Sequence, residues 1–317
     1  MSRVFVTRRI PQPGIDRLKE HFTDVEVFAG DRDMDKREII AFMKRCEVLL
    51  SMLTNPIDRD VLESNPELKG VCNYAAGYNN IDLTFARQVG IKVCNTPDVL
   101  TESTADLAWA LMLSVARRVM EGDRMMRQEG FPGWEPMLLL GMDLHHKTLG
   151  ILGMGRIGQA VAARAIGFGM RVIYHKPSGP LSDLPFKAEF VPRDTLLKEA
   201  DFISIHVPLT PGSRHMIGER EFGLMKNTAV LVNTARGPIV DEKALVNALK
   251  DGQIFGAGLD VFENEPALEP GLTGLPNVVL LPHIGSASIE TRTAMALLAA
   301  DNAIAVLKGE KPLYQVK

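Results

Sequence analysis

Short apolar runs alternate with longer stretches of mixed polarity along most of the chain. Residues 4–7, 25–28, 48–51, 71–74 and 92–94 are apolar over strand length. Between them, residues 14–22, 35–45, 58–64 and 82–89 carry apolar side chains at helical spacing. Strands alternating with helices predict a parallel sheet joined by crossovers, so residues 1–99 read as a small α/β unit. Residues 101–129 contain no Pro and one Gly, and Leu107, Leu111, Val115 and Val119 recur about once per turn. This predicts one long helix, with Asp98 or Thr101 at its start. Residues 131–144 (FPGWEPMLLLGMDL) are irregular, broken by Pro132, Gly133 and Pro136, yet apolar at Trp134 and 137–140. An apolar loop of this kind predicts cover by a partner subunit. The adjacent His145 and His146 read as a polar turn. The alternation then resumes, with strands at 148–152, 171–174, 202–207, 229–233, 255–259 and 278–281 and helices at 157–168, 241–250 and 288–307. The last helix is apolar at Met295, Leu298 and Ala303, a face that must pack back on the N-terminal unit.

One stretch organises this second alternation. Residues 147–177 read KTLGILGMGRIGQAVAARAIGFGMRVIYHKP. A strand runs into Gly153-Met154-Gly155-Arg156-Ile157-Gly158, then an Ala-rich helix and a second strand. That is the spacing of a dinucleotide-binding βαβ unit. Gly153 lets the chain turn off the strand, Gly155 lets a pyrophosphate approach the backbone, and Gly158 lets the helix lie on the sheet. The helix N-terminus offers N–H groups and a positive dipole end to the phosphates. An NAD site usually has a carboxylate at the end of the second strand to bind the ribose. Here that end is His175-Lys176-Pro177, and the next carboxylate is Asp183. Lys176, helped by His175, would attract a 2′-phosphate, which favours NADP(H), with NAD(H) the alternative.

Composition narrows the class. The chain has 317 residues, enough for about two domains. It is 46% hydrophobic and 24% charged, as expected of an ordinary globular protein. A net charge of −3 gives no electrostatic case for nucleic acid. No apolar run of about 18 residues predicts a membrane span, and the first residues lack the apolar stretch of a signal peptide. Cys46, Cys72 and Cys94 form no CxxC and sit in or beside apolar runs, so they read as buried thiols in a reducing compartment. The expected location is the cytoplasm.

In open α/β sheets ligands bind beyond the carboxyl ends of the strands. Three such ends carry chemistry. Residues 233–237 (NTARG) deliver Arg236, whose planar cation can grip a carboxylate with two hydrogen bonds. Residues 258–266 (GLDVFENEP) place several carboxylates after a strand. Residues 281–285 (LPHIG) present His283, a side chain suited to proton exchange near neutral pH. Each alone has a bland reading: a surface ion pair, a solvated acid, a structural histidine. Three together on the strand ends of one dinucleotide unit point to a catalytic centre.

The set GxGxxG, NTARG, GLDVFENEP and PHIGSAS, together with AAGYNNID at 75–82, resembles the D-isomer-specific 2-hydroxyacid dehydrogenase family over nearly the whole chain. The segments at 134–144, 187–191 and 282–302 are most similar to its glyoxylate/hydroxypyruvate reductases (D-glycerate dehydrogenases). The resemblance implies two doubly wound parallel-sheet domains, Rossmann-like or flavodoxin-like, with the active site in the cleft between them. Residues 1–99 plus 285–317 would bind substrate and residues 100–284 the dinucleotide. It implies that Arg236 binds the substrate carboxylate, that His283 donates and accepts the proton, and that Glu265 pairs with the His283 ring. Asp260 would lie near the nicotinamide amide, and Thr104, Val207, Pro208 and Thr234 beside the cofactor. Ala76 and Gly77 would offer backbone N–H groups to the substrate, Leu53 would wall the pocket, and Ser286 would sit nearby. Trp134 would reach the neighbouring subunit of a homodimer. The implied reaction is NAD(P)H-dependent reduction of a small 2-oxo acid to the D-2-hydroxy acid. Another 2-oxo acid, such as 2-ketogluconate or phosphohydroxypyruvate, is the alternative within enzymes. A dinucleotide-sensing binding protein similar to the family's corepressor relatives is the alternative outside them.

Overall fold

The computed structural model describes residues 4–128, 130, 131 and 133–316. Glu129, the last residue of the predicted long helix, and Pro132, one of the prolines that marked the irregular stretch, lie outside the described residues. The chain divides into two compact units. One holds the residues up to Leu100 together with those from Ser286 onward; the other is Thr101–Gly285.

The first unit is built from β1 (Val4–Val6), α1 (Gln12–Lys19), β2 (Val25–Val27), α2 (Lys36–Met43), β3 (Val48–Met52), α3 (Arg59–Glu63), β4 (Gly70–Tyr74), α4 (Leu83–Gln88) and β5 (Lys92–Cys94). All pairs are parallel, in the order β2-β1-β3-β4-β5. Local chemistry explains where the helices start. Asp35, Asp58 and Asp82 each accept a backbone N–H from the first turn that follows, and Asp35 and Glu38 form a reciprocal capping box. The three cysteines are buried and free. At the free edge of β5 the C-terminal residues pair antiparallel, with Val316 N–H on Val93 O (2.8 Å) and a bridge from Gln315 to Cys94. This covers backbone groups that an open edge would leave exposed.

The second unit opens with α5 (Thr101–Ala116) and α6 (Val119–Gln128). The single predicted helix is therefore two. Arg118 takes a left-handed φ of 52°. The Ala116 carbonyl accepts the Met142 N–H (2.9 Å), and the Arg118 guanidinium turns onto Glu121 (2.7 and 2.9 Å). The Met142 bond comes from outside the helical pattern, so periodicity could not show the break. Then follow β6 (Thr148–Leu152), α7 (Arg156–Arg164), β7 (Arg171–His175), β8 (Glu189–Phe190), α8 (Arg193–Glu199), β9 (Phe202–Ile205), α9 (Glu219–Phe222), β10 (Val230–Asn233), α10 (Glu242–Lys250), β11 (Gly256–Leu259) and β12 (Val278–Leu280). The elements β8, α8 and α9 have seven residues or fewer, too few to show a period. β9 stops two residues before its predicted end, and α7 tightens into a 3-10 turn over Ala165–Phe168 that closes on left-handed Gly169. The His145–His146 turn precedes β6, with His146 at φ 60°. The final helix, α11 (Ile289–Lys308), belongs to the first unit; Ser288 caps its start and Gly309, at φ 74°, ends it.

The seven strands are parallel in the order β12-β11-β10-β9-β6-β7-β8. The order reverses between β6 and β9, which makes that junction the topological switch point. Apolar layers cover both faces. One contains Leu196, Phe222, Leu245 and Leu249; the other contains Trp109, Leu111, Val161 and Ala165. Trp109 stacks on Phe168 (4.7 Å) and donates to Val161 O (3.0 Å), which fixes α5 against α7.

Candidate active site

Parallel register gathers the site. Leu152, Ile205, Asn233, Leu259 and Leu280 are successive partners across β6, β9, β10, β11 and β12. The residues beyond this row emerge together at the carboxyl edge. They are Gly153 from β6, His206 and Val207 from β9, Thr234 and Arg236 from β10, Asp260 to Glu265 from β11, and His283 from β12.

The glycine turn fits a dinucleotide. Gly153 stands at φ 100°, and a Cβ there would lie 2.6 Å from His206 O. A Cβ on Gly158 would lie 2.1 Å from Gly153 O, so turn and helix touch backbone to backbone. A Cβ on Gly155, by contrast, would meet nothing within 4 Å. Gly155 is the N-cap of α7 without a side-chain cap, which leaves helix N–H groups facing open space. Across the switch point, Thr234 Oγ1 is buried with no hydrogen-bond partner among the described residues, a group suited to a bound ligand. Val207 is buried, and the Pro208 carbonyl accepts from Ser213 Oγ (2.7 Å).

At the end of β7, His175 Nδ1 lies 3.1 Å from Val191 O and its ring stacks on Phe190. In the neutral ring Nδ1 then carries the proton, and Nε2 is left as an acceptor. Lys176 follows His175 and carries the ammonium of this strand end. Its carbonyl accepts from Gly179 N–H (3.0 Å) in a turn, and Leu181 N–H donates to Tyr174 Oη (2.8 Å).

The titratable groups are tightly arranged. His283 Nδ1 is 2.9 Å from Glu265 Oε2, and the Phe262 N–H donates to Glu265 Oε1 (2.9 Å). Burial acts to raise the Glu265 carboxyl. The His283 hydrogen bond and charge, the Phe262 N–H and the Arg236 cation outweigh it and hold the carboxyl below its usual value. His283 itself stands at φ 55°. A left-handed non-glycine residue costs on the order of 1 kcal/mol. Asp260 compensates, because its two oxygens accept Ile284 N–H (2.7 Å) and Gly285 N–H (2.8 Å). Hydrogen bonds to a charged acceptor contribute roughly 1.5–3 kcal/mol each, enough to hold the strained turn. Burial pushes the Asp260 carboxyl up, with the two N–H groups and His283 opposing. Asp260, expected near the nicotinamide amide, is thus 1% exposed and fixes the backbone that presents His283. Thr104 joins it by donating to Gly285 O (3.2 Å).

Arg236 lies in extended backbone at the end of β10. Burial pulls its guanidinium below the ordinary value, and the Glu265 charge pulls it back. One Nη donates to Ala235 O (2.6 Å). Sequence reading missed His206, whose Nε2 lies 2.8 Å from Ser204 Oγ. Burial pushes its ring down to about 3, so it is a neutral group beside the glycine turn. Nothing marks it in the sequence beyond its place after a strand. Trp134 is 82% exposed on this unit, with Met137 74% exposed nearby in sequence.

In the first unit, the loop after β4 is held by asparagines. Asn95 Nδ2 donates to Ala76 O (2.7 Å) and Asn73 Nδ2 to Gly77 O (2.9 Å). With both carbonyls engaged, the Ala76 and Gly77 N–H groups donate to no protein group among the described residues. Leu53 and Ser286 are both half-buried. No group of three His, Cys, Asp or Glu suited to a metal occurs among the described residues.

Comparison with known proteins agrees with this arrangement. Residues 109–285 match the model of the D-isomer specific 2-hydroxyacid dehydrogenase NAD binding domain. The chain is 51% identical to a glyoxylate reductase of Korarchaeum cryptofilum over 313 residues, 98% of this chain and 94% of that one. Among solved structures, the TT0316 protein of Thermus thermophilus superposes with a TM-score of 0.93 at 46% identity, covering 99% of this chain and 100% of that one. An NADPH-dependent glyoxylate/hydroxypyruvate reductase of Sinorhizobium meliloti, solved with NADP and malonate, gives 0.88 at 35%, covering 99% and 96%. The chain belongs to the D-isomer specific 2-hydroxyacid dehydrogenase family.

Proposed function

We propose that this member of the family reduces glyoxylate and hydroxypyruvate to the D-2-hydroxy acids, with NADP(H) as the favoured cofactor. The observation that carries the reading is the Glu265–His283 pair at 2.9 Å beside the half-buried Arg236 cation, on the strand ends of a unit with a dinucleotide turn. The names of the relatives supply the substrate class. When bound, the nicotinamide supplies the hydride. Arg236 grips the substrate carboxylate and stabilises negative charge growing on the carbonyl oxygen. His283, its Nδ1 held by Glu265, gives the proton from Nε2 to that oxygen. Asp260 keeps the His283 turn in place. The N–H groups of Ala76 and Gly77 are further carboxylate donors in this reading, with Leu53 and Ser286 as substrate neighbours. Residues 1–99 plus 285–317 are read as the substrate domain and residues 100–284 as the dinucleotide domain.

The test is initial rates with both acids and both cofactors. NADPH should give the higher kcat/KM, because Lys176 faces a 2′-phosphate with no competing carboxylate. Lys176→Asp should swing the NADPH/NADH ratio toward NADH by about 10-fold or more, as expected for replacing a charge-assisted contact with a repulsion. An unchanged ratio would remove Lys176 from the site. No turnover of either acid would direct the search to larger 2-oxo acids or to a sensor.

The protein also acts as a homodimer in this reading, and in the cytoplasm, where three buried free thiols stay reduced. No residue of α6 is buried, and Met126, Phe131, Trp134, Met137 and Leu140 are exposed on the same unit. Such apolar surface calls for a partner. Sedimentation should give twice the 34.9 kDa chain mass. Met137→Asp should shift the population toward single chains; a monomeric parent protein would refute the dimer.

A further inference from the structure

The loop that carries Glu265 has a clamp outside the catalytic pair. It leaves β11 and runs over residues 262–269. Inside it, the Phe262 N–H occupies Glu265 Oε1, which leaves Oε2 for His283. Phe262 anchors its start in the core layer, and a further tie comes from α10. Glu242 is in its first turn, next to the cap Asp241, and is only 3% exposed. Its Oε1 accepts the Glu263 N–H at 2.7 Å. Burial raises the Glu242 carboxyl, the nearby backbone N–H groups of Glu263 and Glu269 oppose this, and the charges of those two side chains add to it. The Glu263 side chain is turned the other way, onto His215 Nε2 (2.6 Å) and Arg214 (3.1 Å). Burying an acid costs stability unless it is hydrogen-bonded, and the partner of this one is an N–H of the Glu265 loop.

We infer that Glu242 is a positioning residue for the Glu265–His283 pair, fixing the height of the Glu265 loop above the sheet by accepting the Glu263 N–H. The inference rests on the reading of that pair as the proton-transfer group. Glutamine at 242 keeps the size but loses the charge and one acceptor oxygen, which weakens the hold on the Glu263 N–H. Displacing a reacting group by about 1 Å can cost on the order of 100-fold in rate.

The experiment is a double-mutant cycle in the full-length protein, read by glyoxylate reduction with NADPH and by NADPH binding from nucleotide fluorescence. Glu242→Gln should lower kcat by roughly 10- to 100-fold and leave the NADPH Kd within about two-fold. In a Glu265→Ala background the same change should alter kcat by less than about two-fold, because its route is already gone. A merely structural loss would carry over undiminished into that background and overturn the inference. So would a folded Glu242→Gln protein with the parent kcat. If Glu242→Gln shows no cooperative melt, Glu242→Asp, which withdraws the carboxylate by one methylene, is read in the same cycle. If the parent protein turns over no 2-oxo acid, the functional reading fails, and the clamp is then judged by amide hydrogen exchange. Faster exchange at Glu263 in Glu242→Gln supports it, and unchanged exchange overturns it.

Discussion

Alanine at His283 should lower kcat for glyoxylate reduction by about 1,000-fold, within the range for removal of a general acid, while NADPH binding stays within about three-fold. The geometry gives the reason for the separation. His283 lies beyond β12, whereas the glycine turn belongs to β6, across the sheet order from it. The imidazole is presented by a strained turn whose N–H groups end on Asp260, and that turn survives loss of the ring. Arg236→Ala should act differently. It removes the carboxylate grip as well as charge stabilisation, so KM for the 2-oxo acid should rise while kcat falls, with kcat/KM down by about 1,000-fold or more. Glu265→Gln keeps a hydrogen-bond acceptor for Nδ1 but loses the charge, and should fall between these variants and the parent. Rates like the parent in either alanine variant would remove that residue from the reaction. Loss of NADPH binding in both would show damage to the unit instead.

Much of this architecture is legible in the residue pattern, because strands of three to five apolar residues between amphipathic segments leave few alternatives to a parallel sheet. The glycine turn is legible for a similar reason: three glycines at fixed spacing answer to two backbone contacts and one open approach, at Gly153, Gly158 and Gly155. The strand ends could be searched for chemistry because a parallel sheet brings them to one edge, and there Glu265 and His283 stand in contact across 18 residues of sequence. What escaped depends on bonds between distant segments. The break at Arg118 follows from capture of the Ala116 carbonyl by Met142. Asp260 looks like one acid in a run of acids until its oxygens are traced to Ile284 and Gly285, 24 and 25 residues on. Glu242 looks like an ordinary first-turn helix acid, and only its burial and its link to Glu263, 21 residues away, separate it from a solvated one. Local patterns report elements; they cannot report which side chain ties one element to another.

A methyl group at Gly237 should disable the site more completely than most substitutions within it. Gly237 follows Arg236 and packs against the Glu265 loop. A Cβ there would lie 1.8 Å from Phe262 C, 2.0 Å from Phe262 O and 2.3 Å from Glu263 N. These are backbone atoms, so no rotamer can relieve the overlap. Restoring a contact near 3.5 Å requires the two strand-end loops to part by roughly 1.5 Å. That movement shifts Arg236 on one side and Glu265 on the other. Overpacking of this kind costs about 3 kcal/mol or more when backbone must move, which lowers Tm by on the order of 6–12 °C for a unit of this size. The displacement should also reduce kcat/KM by about 100-fold in the protein that remains folded. Gly274→Ala is the control, since a Cβ there meets nothing within 4 Å, and it should leave both melting and turnover unchanged. Gly237→Ala with the parent Tm and parent kcat would mean that the two loops are free to separate. The contact between Gly237 and Phe262 would then have no part in holding Arg236 and Glu265 in register.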